Sequence, residues 1–95
     1  MAATVELQPT DHPTAPAERA AILESPAFGS RFTDHMVTVR FEKGDWGRPR
    51  LTAYGPLTFD PAASGLHYGQ SIFEGFKAYR QPDGGVGLFR PQANA

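Results

Sequence analysis

"FKAYRQPDGGVGLFR", residues 76–90, decides how this chain folds. Two short runs, "FKAYR" and "VGLFR", flank the turn cluster "QPDGG". An Asp-Gly pair between two such runs predicts an antiparallel hairpin, because glycine reaches the positive φ that tight hairpin turns demand. The same glycines do not make a phosphate cradle. "DGGVG" lacks the G-x-G-x-x-G spacing, and it leads from one strand into another rather than into a helix. A hairpin alone is marginal in water, so further strands must be sought upstream.

Immediately before the hairpin stands "LHYGQSIFEGFKAYR", residues 66–80, the densest part of the chain. It holds Tyr68, Phe73, Phe76 and Tyr79, the glycines Gly69 and Gly75, and one acid–base pair, Glu74 and Lys77. Glycine weakens any regular element that it interrupts. Two readings are open: the rings fill an ordinary core, or they line a pocket in which glycine lets backbone approach something other than protein. The Glu74–Lys77 spacing suits a plain ion pair.

Further upstream, "HMVTVRFEK" alternates, with Met36, Thr38, Arg40 and Glu42 on one face and Val37, Val39 and Phe41 on the other. This predicts a half-buried strand. "GDWGRP" has turn composition, and "RLTAYGPLTF" reads as a second strand, ended or bulged at Gly55-Pro56. "DPAASG" is another turn. "PAERAAILES" predicts a short helix with Pro16 in its first turn, too short to stand without docking. Phe28 and Phe32 lie in a loop and stay exposed unless another surface covers them. Residues 1–15 read as an arm without a core of its own. "RPQANA" places proline after a strand and then helix-tolerant residues, which is how a helix begins. The expected architecture is α+β with an antiparallel sheet: an arm with a short helix over residues 1–33, then a partial small domain over 34–95.

The chain has 95 residues, a net charge of −1 and no cysteine. The charge balance gives no case for nucleic acid or an anionic membrane. The missing thiols exclude disulfides, thiolate nucleophiles and cysteine-ligated zinc. No run approaches the ~20 apolar residues of a membrane span, and residues 1–20 lack a secretory pattern, so the expected location is cytoplasmic. His12, His35 and His67 show no metal-ligand spacing, and no G-x-S-x-G elbow surrounds a serine. Lys43 and Lys77 are the only lysines, so a Schiff-base nucleophile has two candidates in principle.

Over residues 28–95, "FGSRFTDHMVTV", "GDWGRPR", "DPAASGLHYGQSIFEGFKAYR" and "LFRPQANA" occur in an order that resembles the N-terminal part of branched-chain amino acid aminotransferases. These are fold-type IV pyridoxal phosphate enzymes. F-E-G followed by a basic residue is common to the whole fold type. F-T-D-H-M and P-A-A-S-G-L-H-Y-G-Q are more specific to the branched-chain members.

The resemblance implies an intact homodimer that moves the amino group of L-leucine, L-isoleucine or L-valine to 2-oxoglutarate, in branched-chain amino acid biosynthesis or breakdown. It places Phe28, Tyr68 and Phe73 in the wall of the substrate pocket, gives Gly75 the close backbone approach, and puts Lys77 at the basic position after F-E-G. It leaves the catalytic lysine and the pyridoxal phosphate contacts to a larger domain outside these residues, so neither Lys43 nor Lys77 is expected to be catalytic. The 95-residue chain by itself is expected to be inactive. Rival readings are a D-amino acid aminotransferase or aminodeoxychorismate lyase of the same fold type, and a non-catalytic binding module.

Overall fold

The computed structural model describes residues 4–94, which fall into two compact units, Met1–Leu57 and Thr58–Ala95. Short helices and mostly antiparallel pairings make the arrangement α+β.

The first unit is built on a three-stranded sheet. Strand β1 is Glu6–Gln8, β2 is His35–Thr38 and β5 is Arg50–Ala53, in the order β1-β5-β2. β2 runs antiparallel to β5, with Val37 opposite Leu51. β1 runs parallel to β5, with Leu7 opposite Leu51. The arm therefore supplies a strand to the sheet. Its pairing is local neither in sequence nor in pattern: Arg50 reaches back to hydrogen-bond Gln8 at 3.1 Å, 42 residues away, and pairs with Glu6 at 3.6 Å.

"HMVTVRFEK" is two strands rather than one. Pairing breaks after Thr38, and β3, Phe41–Glu42, forms a small hairpin with β4, Asp45–Trp46. The expected turn "GDWGRP" thus contains a strand. The reversal sits at Lys43 and Gly44, both at positive φ (54° and 85°), the conformation of a tight hairpin turn. Phe41 and Trp46 meet across it with ring centroids 5.0 Å apart, a cross-strand aromatic pair of the kind that stabilises hairpins.

Helix α1, Pro16–Glu24, begins where proline predicts, with Arg19 N–H bonded to the Ala15 carbonyl. No residue of it is buried.

In the second unit, helix α2, Ser64–His67, follows an Asp60 turn in which the carboxylate accepts the Ala62 N–H at 2.7 Å. The helix stops at Gly69, whose φ of 63° suits only glycine at low cost. β6, Ala78–Arg80, and β7, Val86–Leu88, then form the expected hairpin, with Tyr79 opposite Gly87. Its turn is closed by Gly84 N–H to Gln81 O and by Asp83 accepting the Gly85 N–H. A 3-10 turn, Pro91–Ala93, ends the described chain, and Arg90 before it adopts φ 45°. It is a tight turn where an α-helix is expected to begin.

No side chain among the described residues is buried. The alternation in β2 predicts cover for the valine row, yet Val37 is 58% exposed while Met36 and Thr38 are half-buried. Within β2 the alternation holds, and the face that should be covered stands open.

Candidate functional site

The motif "FTDH", residues 32–35, is a knot of side-chain bonds in the first unit. Phe32 stacks on Tyr54, with centroids 5.1 Å apart and planes 8° from parallel. Thr33 Oγ1 donates to the His35 carbonyl at 2.7 Å. The Asp34 carboxylate takes both the hydroxyl and the N–H of Thr14, the latter at 3.1 Å. His35 Nε2 accepts the Thr10 N–H at 3.1 Å, which requires the ring proton on Nδ1. Asp34 and His35 together tie residues 10–14 to the start of β2.

The Thr14 hydroxyl first, then the Thr14 N–H, hold the Asp34 carboxyl below its ordinary 3.8. These bonds favour the charged form, so their contribution is complete above pH 3.8 and fades as pH falls through the lowered value. In the whole protein, Asp34→Ala should speed amide exchange at Thr14 about tenfold at neutral pH, the scale of one charge-assisted hydrogen bond. Unchanged exchange at Thr14 would show that the tie does not hold the arm.

The predicted pocket residues divide between the units. Phe28 lies in the loop after α1 and is fully exposed. Tyr68 caps the C-terminal end of α2, with its N–H on the Ser64 carbonyl. Phe73, Gly75 and Lys77 follow in a segment without helix or strand. Phe73 is 95% exposed and its neighbour Ile72 wholly so. The structure brings Phe73 and Gly75 together: the Phe73 ring edge, Cζ, lies 3.6 Å from where a Cβ on Gly75 would stand.

Glu74, between them, does not form the expected pair with Lys77. Its Oε1 instead accepts the Gly75 N–H at 2.9 Å and the Asn94 side-chain amide at 3.0 Å. Asn94 first and Gly75 second hold its carboxyl below the ordinary 4.5. Reading the sequence missed Asn94, because a contact across 20 residues leaves no spacing signal.

A cleft of about 370 Å³ opens in the first unit, walled by Ile22, Leu23, Pro26 and Phe32 with Arg19 and Asp34 at its polar side. None of the five predicted pocket residues lines it. Among the described residues no three His, Asp or Glu side chains converge as metal ligands, and no helix is long and apolar enough to cross a membrane.

No protein-family profile matches the chain. Individual relatives do. It is 55% identical over 92 residues to a probable branched-chain-amino-acid aminotransferase of Streptomyces coelicolor, which aligns 96% of this chain with 25% of that protein. It is 48% identical over 85 residues to the branched-chain-amino-acid aminotransferase of Mycolicibacterium smegmatis, covering 88% of this chain and 23% of the relative. To the mitochondrial branched-chain-amino-acid aminotransferase of Mus musculus it is 46% identical over 95 residues, covering 98% and 23%. The chain belongs to the branched-chain aminotransferase family. It spans about a quarter of the length of the curated relatives it matches.

The described residues do not by themselves fit pyridoxal phosphate. Lys43 sits at the tip of the β3–β4 turn and Lys77 on an exposed segment. The hairpin turn spends its Gly84 and Gly85 N–H groups on Gln81 and Asp83.

Proposed function

We propose that the intact protein is a fold-type IV transaminase that moves the amino group of L-leucine, L-isoleucine or L-valine to 2-oxoglutarate, acting as a cytoplasmic homodimer. The residues described here contribute part of the wall that receives the branched side chain. Kinship with named branched-chain aminotransferases over nearly the whole chain carries this reading.

Pyridoxal phosphate, when bound, supplies the electron sink that lets an amino group be taken from one acid and given to another. Its lysine and phosphate contacts belong to the further length that the relatives possess. The present residues have a different task. Phe28, Tyr68 and Phe73 offer large, stiff apolar faces at low entropic cost, and an aliphatic side chain gains by leaving water against them. One methylene is worth only about 1–3 kcal/mol in such a wall, so all three branched substrates should be accepted. The Tyr68 hydroxyl gives the wall one polar handle for glutamate.

Turnover by the full-length protein tests the reading. L-leucine with 2-oxoglutarate should react, and D-alanine should not. The opposite preference would point to a D-amino acid enzyme of the same fold type, and no turnover of either to a binding module. Lys77 should be dispensable for cofactor attachment. A Lys77→Ala full-length protein should keep the visible absorbance of its bound cofactor, and a colourless variant would make Lys77 the attachment point.

A further inference from the structure

Phe73 stands on a segment that no ladder or helix secures. Gly69 ends α2 and β6 begins only at Ala78. Within residues 72–75, the hydrogen bonds described are the two that meet on one oxygen of Glu74. One comes from the backbone of Gly75, the residue against which the Phe73 ring leans. The other comes from Asn94.

Asn94 is itself fixed by geometry. Arg90 takes a left-handed conformation, the 3-10 turn follows, and the Asn94 N–H closes on the Pro91 carbonyl at 3.1 Å. This leaves its side chain half-buried and facing the carboxylate. A carboxylate only accepts, so the amide must present its NH2 group. The charge strengthens both bonds relative to neutral ones.

We propose that Glu74 is a positioning residue for Phe73, and that Asn94 completes the anchor. The carboxylate pins the Gly75 amide, Gly75 limits where the Phe73 ring can lie, and Asn94 ties this turn to the chain that leaves β7. The side-chain wall is thereby set by a contact 20 residues downstream. This rests on the reading that Phe73 faces the substrate's branched chain. It adds that the orientation of the ring, and not only its presence, is controlled.

The test uses the full-length, cofactor-loaded protein and two probes, 4-methylpentanoate for the branched chain and glutarate for the acidic co-substrate. Calorimetry gives their dissociation constants. Asn94→Ala should weaken 4-methylpentanoate about tenfold, the scale expected when one charge-assisted bond is lost, and Glu74→Ala, which removes both bonds, at least as much. Glutarate binding should change less than about twofold, because the ring serves the apolar side chain alone. The double variant should be no worse than Glu74→Ala alone, since that change already removes the bond that Asn94 makes. Glu74→Gln keeps an acceptor oxygen and should restore most of the affinity. Melting temperatures are read alongside. Equal weakening of both probes, additive losses in the double variant, or no rescue by glutamine would each overturn the proposal. Failure of the wild-type protein to transaminate leucine would instead overturn the reading beneath it, and the two failures are told apart by that control.

Discussion

Phe73→Ala in the full-length protein should lower kcat/KM for L-leucine roughly 10–100-fold, the range that follows from removing about 1.5–3 kcal/mol of apolar contact. The same variant should lower kcat/KM for 2-oxoglutarate less than about threefold, because that substrate offers a carboxylate where leucine offers methyl groups. The ring stands 95% exposed on its own chain. Removing it therefore opens no cavity among the described residues, and the usual destabilisation of a core truncation is not expected. That separates an effect on substrate from an effect on folding. A melting temperature within about 2 °C of wild type, with the leucine loss intact, is the expected pair of results. Equal losses on both substrates would mean that Phe73 is not a side-chain wall. A large drop in melting temperature would mean that the ring is covered by the protein's own further length. Phe73→Leu, which keeps much of the apolar bulk, should recover most of the leucine activity.

What could be read in advance follows from the range over which each signal acts. The β6–β7 hairpin was legible because its cause is local: Asp83, Gly84 and Gly85 supply the turn within five residues of both strands. Helix α1 was legible from Pro16 for the same reason. β1 was not, because its partner is Arg50–Ala53 and the alternation of Val5 and Leu7 with Glu6 and Gln8 is cut short by Pro9 before it can mark a strand. A turn near Gly44 was legible, but the β3–β4 hairpin was not, because lysine rarely adopts positive φ and each strand is only two residues long. The nearness of Phe73 and Gly75 follows from a motif two residues apart, whereas the Glu74–Asn94 bond depends on where two separate turns bring their side chains. The valine row of β2 marks the limit of periodicity. Alternation gives the apolar face but does not say what covers it.

Expressed alone, the 95 residues should fail to melt cooperatively. A folded protein of this mass presents about 5,400 Å² to water and its extended chain about 15,000 Å². The structure presents 9103 Å², so roughly 40% of the extended-chain surface is removed where a self-sufficient domain of this size removes nearer 64%. Ordering each residue costs about 1–2 kcal/mol of backbone entropy, and apolar burial returns only some 25 cal/mol per Å². With Leu7, Val37, Phe41, Leu66, Phe73 and Val86 all exposed, that return is far too small. The isolated chain should therefore show a broad denaturant response, bind a hydrophobic dye and exchange its amides rapidly, the β6–β7 hairpin included. The full-length protein should show none of these features, since its further length would supply what the open faces of β2 and the 69–77 segment lack. A sharp two-state transition in the monomeric 95-residue chain, with the denaturant slope normal for its size, would show that these side chains find partners within the chain itself. The open wall around Phe73 would then be closed by its own polypeptide, with no room for an aliphatic guest.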